Sequence, residues 1–121
     1  MEMSGDNYRI VYDPTTTTII CQGALRHCGD AEYQSMMELL SEAANQTPET
    51  ITLQLQELEF LDSAGISALF KFVINIRNMK KSQLIVQGNR QIPWQNKALK
   101  NIQRLMPEMI LDWYDATEVT P

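Results

Sequence analysis

Apolar positions recur along the chain in two rhythms, one typical of strands and one typical of helices. Between Ile51 and Leu55 every second residue is apolar, which predicts a strand with one buried face. After Asp30, a plausible N-cap, the apolar positions are instead three and four residues apart, which predicts an amphipathic helix. The predicted elements are strands at about 8–12, 16–21 (ended by Gly23), 51–56, 84–86 (stopped by Gly88-Asn89) and 109–113, and helices at about 30–44, 63–79 and 93–106.

The order of these elements predicts the fold class. An N-terminal hairpin is followed by strands that alternate with helices, which is typical of a single α/β domain with three to four helices. We expect a mixed sheet whose later strands are parallel and joined by right-handed crossovers. The 121 residues suit one domain, with its core at about 8–113 and residues 114–121 as a flexible tail. In such sheets, functional groups gather at the carboxyl ends of the parallel strands.

The turn Asp62-Ser63-Ala64-Gly65 lies at such a carboxyl end, where a strand passes into the second predicted helix. Either Asp62 or Ser63 can cap that helix, and a cap requires no further function. Gly65 is less ordinary, because a glycine in a helix costs up to ~1 kcal/mol relative to alanine. The missing side chain suggests that another group approaches the turn closely.

The second helix has an unusual border between its apolar and polar faces. Ser63, Phe70 and Ile74 are seven and four residues apart and therefore align along this border, next to a polar stripe that includes Ser67. An apolar strip that ends at a serine is what a docking surface with a switch would require. The simpler interpretation, that Phe70 and Ile74 only widen the core face, stays open.

Charge and composition exclude several classes of function. The formal net charge is −5, which argues against nucleic acid or an anionic membrane as the main partner. Lys97, Lys100 and Arg104 share one helix face and with Arg90 form a local basic patch, most simply a solvated surface. No apolar run approaches the ~20 residues of a membrane span. The N-terminus is acidic and polar, without a signal peptide, so we expect a cytoplasmic protein with reduced thiols.

The residues that could support catalysis or metal binding do not form a recognisable motif. Cys21, His27 and Cys28 lie close in sequence but lack a suitably spaced fourth ligand, so we expect neither a metal nor a cofactor. Ser63 has no nearby histidine, and there is no Gly-x-Ser-x-Gly or glycine-rich phosphate loop. We therefore expect that the chain is not an enzyme, with a small enzyme or nucleotide binder as a remaining alternative.

The run from Ile51 to Ile66, with its strand, short loop and Asp-Ser-Ala-Gly turn, resembles the signature of the STAS family, the bacterial anti-sigma factor antagonists. The resemblance extends over roughly residues 8–113 in element order. It implies a module for partner switching in transcription regulation, in which a serine kinase that is also an anti-sigma factor phosphorylates Ser63 and is released. A serine phosphatase would restore the unmodified form.

The resemblance also implies roles for the residues around the serine. Asp62 would position the turn and the hydroxyl of Ser63, and Gly65 would leave room for the kinase. The implied partner-binding residues are Asp62, Ala64, Gly65, Ser67, Phe70, Ile74 and Arg26.

One position departs from the family pattern. Classical members carry Gly-x-Leu-Asp before the first helix, whereas this chain has Gly23-Ala24-Leu25-Arg26. An acid that contributes to the partner surface has become a base, which suggests a different or re-matched partner. The alternative function is a constitutive scaffold, such as the STAS subunit of a lipid-transporting ABC ATPase assembly.

Overall fold

The computed structural model describes residues 1–114, in which three helices pack against one six-stranded sheet. The elements in chain order are β1 (Glu2–Ser4), β2 (Tyr8–Asp13), β3 (Thr18–Leu25), α1 (Asp30–Asn45), β4 (Thr50–Leu61), α2 (Ser63–Met79), β5 (Gln83–Asn89), α3 (Pro93–Leu105) and β6 (Ile110–Tyr114). Of the predicted tail, Tyr114 belongs to β6, and residues 115–121 lie outside the described residues.

The strands lie side by side in the same order as in the sequence, from β1 to β6. β1, β2 and β3 are antiparallel, and β3, β4, β5 and β6 are parallel. Each parallel pair is connected by one helix, and α2 contacts both α1 and α3, so the helices form one layer. The predicted mixed sheet, with an N-terminal hairpin and parallel β-α units, is confirmed.

The core lies between this helical layer and the sheet. In β4 the side chains of Ile51, Leu53 and Leu55 are fully buried, whereas the alternating Thr52 and Gln54 are only half-buried. The buried strand residues form one apolar cluster with helix residues such as Met36, Leu40, Leu69 and Phe72. Complete burial of an aliphatic side chain contributes about 1.5–3 kcal/mol, so this alternation determines which face of each strand meets the helices.

The predicted ends of β3 and β5 are wrong, because the glycines taken as strand stops lie inside these strands. The second strand continues past Gly23 to Leu25, and β5 includes Gly88 and Asn89. Gly23 has a φ of 89°, lies next to a register shift between β3 and β4, and leaves space for the Asn7 carbonyl oxygen. Glycine is therefore needed at Gly23 for a bulge inside the strand.

The start of α1 also differs from the prediction. Gly29 is the N-cap residue, and Asp30 is the first residue of the helix. The Glu32 side chain accepts a hydrogen bond from the Gly29 N–H at 3.0 Å, whereas among the described residues no side chain caps the first N–H groups of the helix as Asp30 was expected to do. The edge strand β1 was not predicted, because three residues with Met3 as the central apolar position show no usable periodicity.

The strand β4 extends well beyond its pairing with β5. The two strands pair only from Thr50 to Gln54, whereas β4 continues alongside β3 as far as Leu61. We call residues 55–61 the β4 extension. It leads directly into Asp62 and Ser63, so whatever holds the extension also positions the serine.

The first turn of α3 supplies the hydrogen bonds that a neighbouring strand would otherwise make. Gln95 is fully buried, and its Nε2 donates to the carbonyl oxygens of Leu55 at 2.7 Å and Leu58 at 3.1 Å. Its Oε1 accepts from the Asn89 N–H at 2.7 Å, and Trp94 Nε1 donates to Leu58 at 3.0 Å. Through these bonds, Gln95 connects β4, β5 and α3.

Replacing Gln95 with leucine should destabilise the domain by about 3 kcal/mol or more, because each buried backbone group left without a partner costs about 1–3 kcal/mol. Urea unfolding followed by circular dichroism measures this. Gln103→Leu is the matched control, since Gln103 is half-buried on the same helix; its effect should stay within about 0.5 kcal/mol. Equal losses for the two variants would contradict the role given to Gln95.

Candidate functional site

Ser63 is the first residue of α2 and is exposed to solvent. Of the two residues that could cap the helix, the structure selects Asp62, which has extended backbone angles and whose Oδ1 accepts from the Gly65 N–H at 3.0 Å. The Ser63 hydroxyl is therefore not needed for capping. The serine is presented at the end of a helix whose geometry is maintained by its neighbour.

Asp62 also fixes the loop between β3 and α1. Its Oδ2 accepts from the Cys28 N–H at 2.7 Å, and its own N–H donates to the Leu25 carbonyl at 3.1 Å. One carboxylate thus joins the start of α2 to the loop that begins at Arg26. This contact agrees with the positioning role implied for Asp62.

The cysteine next to Asp62 is not chemically activated. Cys28 is half-buried, and both burial and the negative charges of Asp62 and Glu32 raise the pKa of its thiol. A raised pKa keeps the thiol protonated near neutral pH and therefore weakly nucleophilic. The acidic turn thus does not prepare Cys28 for thiolate chemistry.

Packing inside the chain accounts for Gly65. The residue is buried, and a Cβ at this position would collide with the Leu61 side chain, whose Cγ would lie 2.8 Å away. The expectation that the glycine leaves room for a kinase is therefore replaced by an internal reason. Gly65 allows the first turn of α2 to lie directly against the end of the β4 extension.

The other predicted contact residues of α2 form a mixed surface. Ser67 is exposed, whereas Ala64, Phe70 and Ile74 are half-buried. Phe70 packs against the core cluster and is only half-buried, so it widens the core face, while its role in docking stays a prediction. On the adjoining surface, Lys71 donates to the Tyr33 hydroxyl at 2.7 Å.

Arg26 lies at the rim of the same site. Its exposed guanidinium is 4.8 Å from the centre of the Phe60 ring, in a cation–π contact. Phe60 belongs to the β4 extension and is 37% exposed, which is unusual for a large apolar side chain. The sequence contained one signal for it, since Phe60 and Leu61 interrupt the alternation of apolar and polar residues, but it did not indicate the contact with Arg26.

The remaining candidates from the sequence do not converge on this site. Cys21 is fully buried in β3, and burial raises the pKa of its thiol to about 12. Within residues 1–114, no three histidine, cysteine or acidic side chains are grouped to hold a metal ion, and no helix is long and apolar enough to cross a membrane. Lys97, Lys100 and Arg104 are exposed on α3, and Arg90 stacks over Trp113 at 4.9 Å.

Replacing Asp62 with alanine should lower the free energy of unfolding by about 2–4 kcal/mol, because two backbone N–H groups lose a charged acceptor. Amide hydrogen exchange should accelerate most at Cys28 and Gly65, the two donors. The exposed Asp112→Ala is the control and should leave both rates unchanged. Unaltered exchange in Asp62→Ala would show that the carboxylate does not hold the turn.

Replacing Gly65 with alanine should destabilise the domain by about 1–3 kcal/mol, the usual cost of overpacking. The loss should be partly reversed when Leu61 is shortened to alanine in the same chain, because the two groups compete for one space. A double-mutant cycle from urea unfolding measures this coupling. Purely additive effects would mean that Leu61 is not the obstacle.

Comparison with known proteins places this geometry in a family. The family model described as STAS domain matches residues 30–92, just over half of the chain and including the Ser63 turn. A search of curated protein sequences found no match.

Two solved structures share the fold. A chain in the crystal structure of diguanylate cyclase SiaD in complex with its activator SiaC, from Pseudomonas aeruginosa, aligns with a TM-score of 0.72 at 11% identity, covering 95% of this chain and 98% of that one. SpoIIAA, a Bacillus cell fate determinant solved in its phosphorylated form, aligns with a TM-score of 0.58 at 21% identity and 92% coverage of both chains. Together with the capped serine turn and the sheet order, the family match shows that the chain belongs to the STAS domain family.

Proposed function

We propose that this chain is a non-enzymatic regulatory module that binds a protein partner and is switched by phosphorylation of Ser63. The observation that carries the proposal is the exposed serine at a helix start fixed by Asp62, next to the accessible parts of Phe70 and Ile74. The serine is accessible without any opening of the domain. A modification there changes a surface and not the core.

The electrostatics at the start of α2 are compatible with a phosphate. A phosphoserine carries about −1.5 to −2 charges, and a helix N-terminus stabilises negative charge by about 0.3–1 kcal/mol. The first turn of α2 contains no acidic residue, and the carboxylate of the preceding Asp62 is already bonded to the N–H groups of Gly65 and Cys28. The modification should therefore leave the fold intact.

The effect of the phosphate falls on the partner. A partner carboxylate ~6 Å from the phosphate would be repelled by roughly 4–6 kcal/mol at an effective dielectric near 20, before salt screening. About 1.4 kcal/mol is enough for a tenfold change in affinity. Even a repulsion reduced severalfold by salt would lower the affinity for the partner by about tenfold.

The partners that fit this mechanism are a serine kinase that is also an anti-sigma factor, and a serine phosphatase that resets the switch. The kinase supplies the catalytic groups, so the STAS chain needs only an accessible hydroxyl. The existence of SpoIIAA in a phosphorylated form, on the same fold, supports this assignment. In this proposal the partner docks on the accessible surface of α2 beside Ser63, including the exposed parts of Phe70 and Ile74.

A second candidate is a partner other than a sigma-factor regulator. Arg26 is exposed where classical members carry an acid, so a kinase that reads that acid would not be matched. SiaC, which shares the fold, is the activator of a diguanylate cyclase, and a signalling enzyme of that class is one such partner. A constitutive scaffold on a lipid-transporting ABC ATPase is another, and it would need no phosphate.

Affinity pull-downs from the source cell should distinguish these functions. Ser63→Asp should recover at least ten times less partner than wild type, because the added charge imitates the phosphate. Ser63→Ala should recover as much partner as wild type. Ser35→Asp is the matched control, since Ser35 is exposed on α1 and is not among the implied partner-binding residues. Recovery of a kinase supports the first candidate, whereas recovery of a cyclase or an ABC ATPase supports the second.

Intact mass spectrometry provides the independent test of the modification. After incubation with ATP and lysate from the source cell, wild type should gain one phosphate and Ser63→Ala none. If Ser63 gains no phosphate and Ser63→Asp binds every recovered partner as well as wild type does, the switch is refuted. Equal losses for Ser63→Asp and Ser35→Asp would indicate a general charge effect.

A further inference from the structure

Arg26 is an exposed cation in the loop that Asp62 ties to the start of α2. Its side chain is exposed and, among residues 1–114, lies within ion-pairing distance of no carboxylate. Its guanidinium stacks on Phe60, with Cζ 4.8 Å from the centre of the ring. A cation–π contact at an exposed position is weak, so little holds the guanidinium there when a stronger partner becomes available.

The backbone places Arg26 against the start of α2. Leu25, the residue before it, accepts the Asp62 N–H at 3.1 Å and lies opposite Leu61 in the strand pairing. Two residues further on, the Cys28 N–H donates to the Asp62 carboxylate at 2.7 Å. Arg26 is therefore located between two points at which the loop is bonded to the residue preceding Ser63.

We propose that a phosphate on Ser63 is bound in cis by Arg26, whose guanidinium leaves the Phe60 ring to pair with the phosphate oxygens. This rests on the proposed phosphorylation of Ser63 and specifies how the chain responds to it. The planar guanidinium matches two phosphate oxygens at once, and such charge-assisted hydrogen bonds are roughly twice as strong as neutral ones.

The other charged groups around the turn do not compete for this role. The Asp62 carboxylate is engaged by the N–H groups of Gly65 and Cys28. Lys71 lies two turns along α2 and is hydrogen-bonded to Tyr33. His27 is exposed next to Arg26 and is a second possible hydrogen-bond donor to the phosphate, so the test must control for it.

Binding in cis changes what a partner encounters. Before phosphorylation the site presents Arg26, a positive group suited to a partner carboxylate. Afterwards the same arginine is occupied by the phosphate, so the partner loses an attractive contact and also meets a net negative charge. Arg26, a base where classical members carry an acid, therefore changes how phosphorylation releases the partner and not only which partner binds.

The test uses the full chain with phosphoserine incorporated at position 63 during synthesis, so it needs no kinase. Phosphorus NMR then measures the second ionisation of the phosphate as a function of pH. A nearby cation favours the dianion, so the phosphate pKa of wild type should lie at least ~0.5 units below that of Arg26→Gln. Arg26→Lys should be intermediate, since a lysine keeps the charge and loses the bidentate geometry.

Two controls separate the specific contact from general electrostatics. Arg90→Gln removes an exposed arginine that stacks on Trp113, and its phosphate should titrate as in wild type. The comparison is repeated in a His27→Gln background so that the His27 side chain cannot produce the difference. The expected gap between wild type and Arg26→Gln should persist there and shrink at high salt.

Equal phosphate pKa values in wild type and Arg26→Gln would overturn the cis contact, as would an equal rise in Arg90→Gln. This result is independent of whether cells phosphorylate Ser63. Absence of the modification in the lysate experiment together with unchanged partner binding by Ser63→Asp would remove the proposed switch, whereas loss of the NMR difference would remove only the part assigned to Arg26.

Discussion

The site depends on one carboxylate that accepts two backbone N–H groups from different parts of the chain. The Asp62 carboxylate accepts from the N–H of Gly65 in α2 and from the N–H of Cys28 in the loop before α1. Helix starts leave N–H groups without internal partners, and this aspartate satisfies one of them while tying down a loop. The serine that follows is fixed in place without using its own hydroxyl, so it can be modified without loss of a structural hydrogen bond.

A second constraint acts from the opposite side. The β4 extension is not paired with β5. The carbonyl oxygens of Leu55 and Leu58 accept hydrogen bonds from Trp94 and Gln95 at the start of α3. Those bonds stabilise the segment that ends at Asp62. The turn is therefore held by β3 and its loop on one side and by α3 on the other, although all its own residues come from a single strand-to-helix connection.

Much of this arrangement follows from local sequence. The helix from Ser63 to Met79 is predicted with its observed ends because a capping aspartate precedes a clear helical period. Gly23 misleads, since glycine ends strands more often than it forms a bulge within one. Gln95 appears in the sequence as a surface amide on a polar helix, and only the tertiary structure shows that it is buried against β4. The approach of Arg26 to Phe60 is likewise non-local and has no signature in either segment.

The strand order has a consequence for how the site is assembled. Because β1 to β6 are adjacent in space in the order of the sequence, each strand can join the sheet beside its predecessor once the intervening hairpin or helix has formed. Gln95 interrupts this sequential scheme, because it reaches back across β5 to β4. The serine turn thus acquires its full support only after α3 has docked, so a nascent chain completes most of its sheet before this turn is fully held.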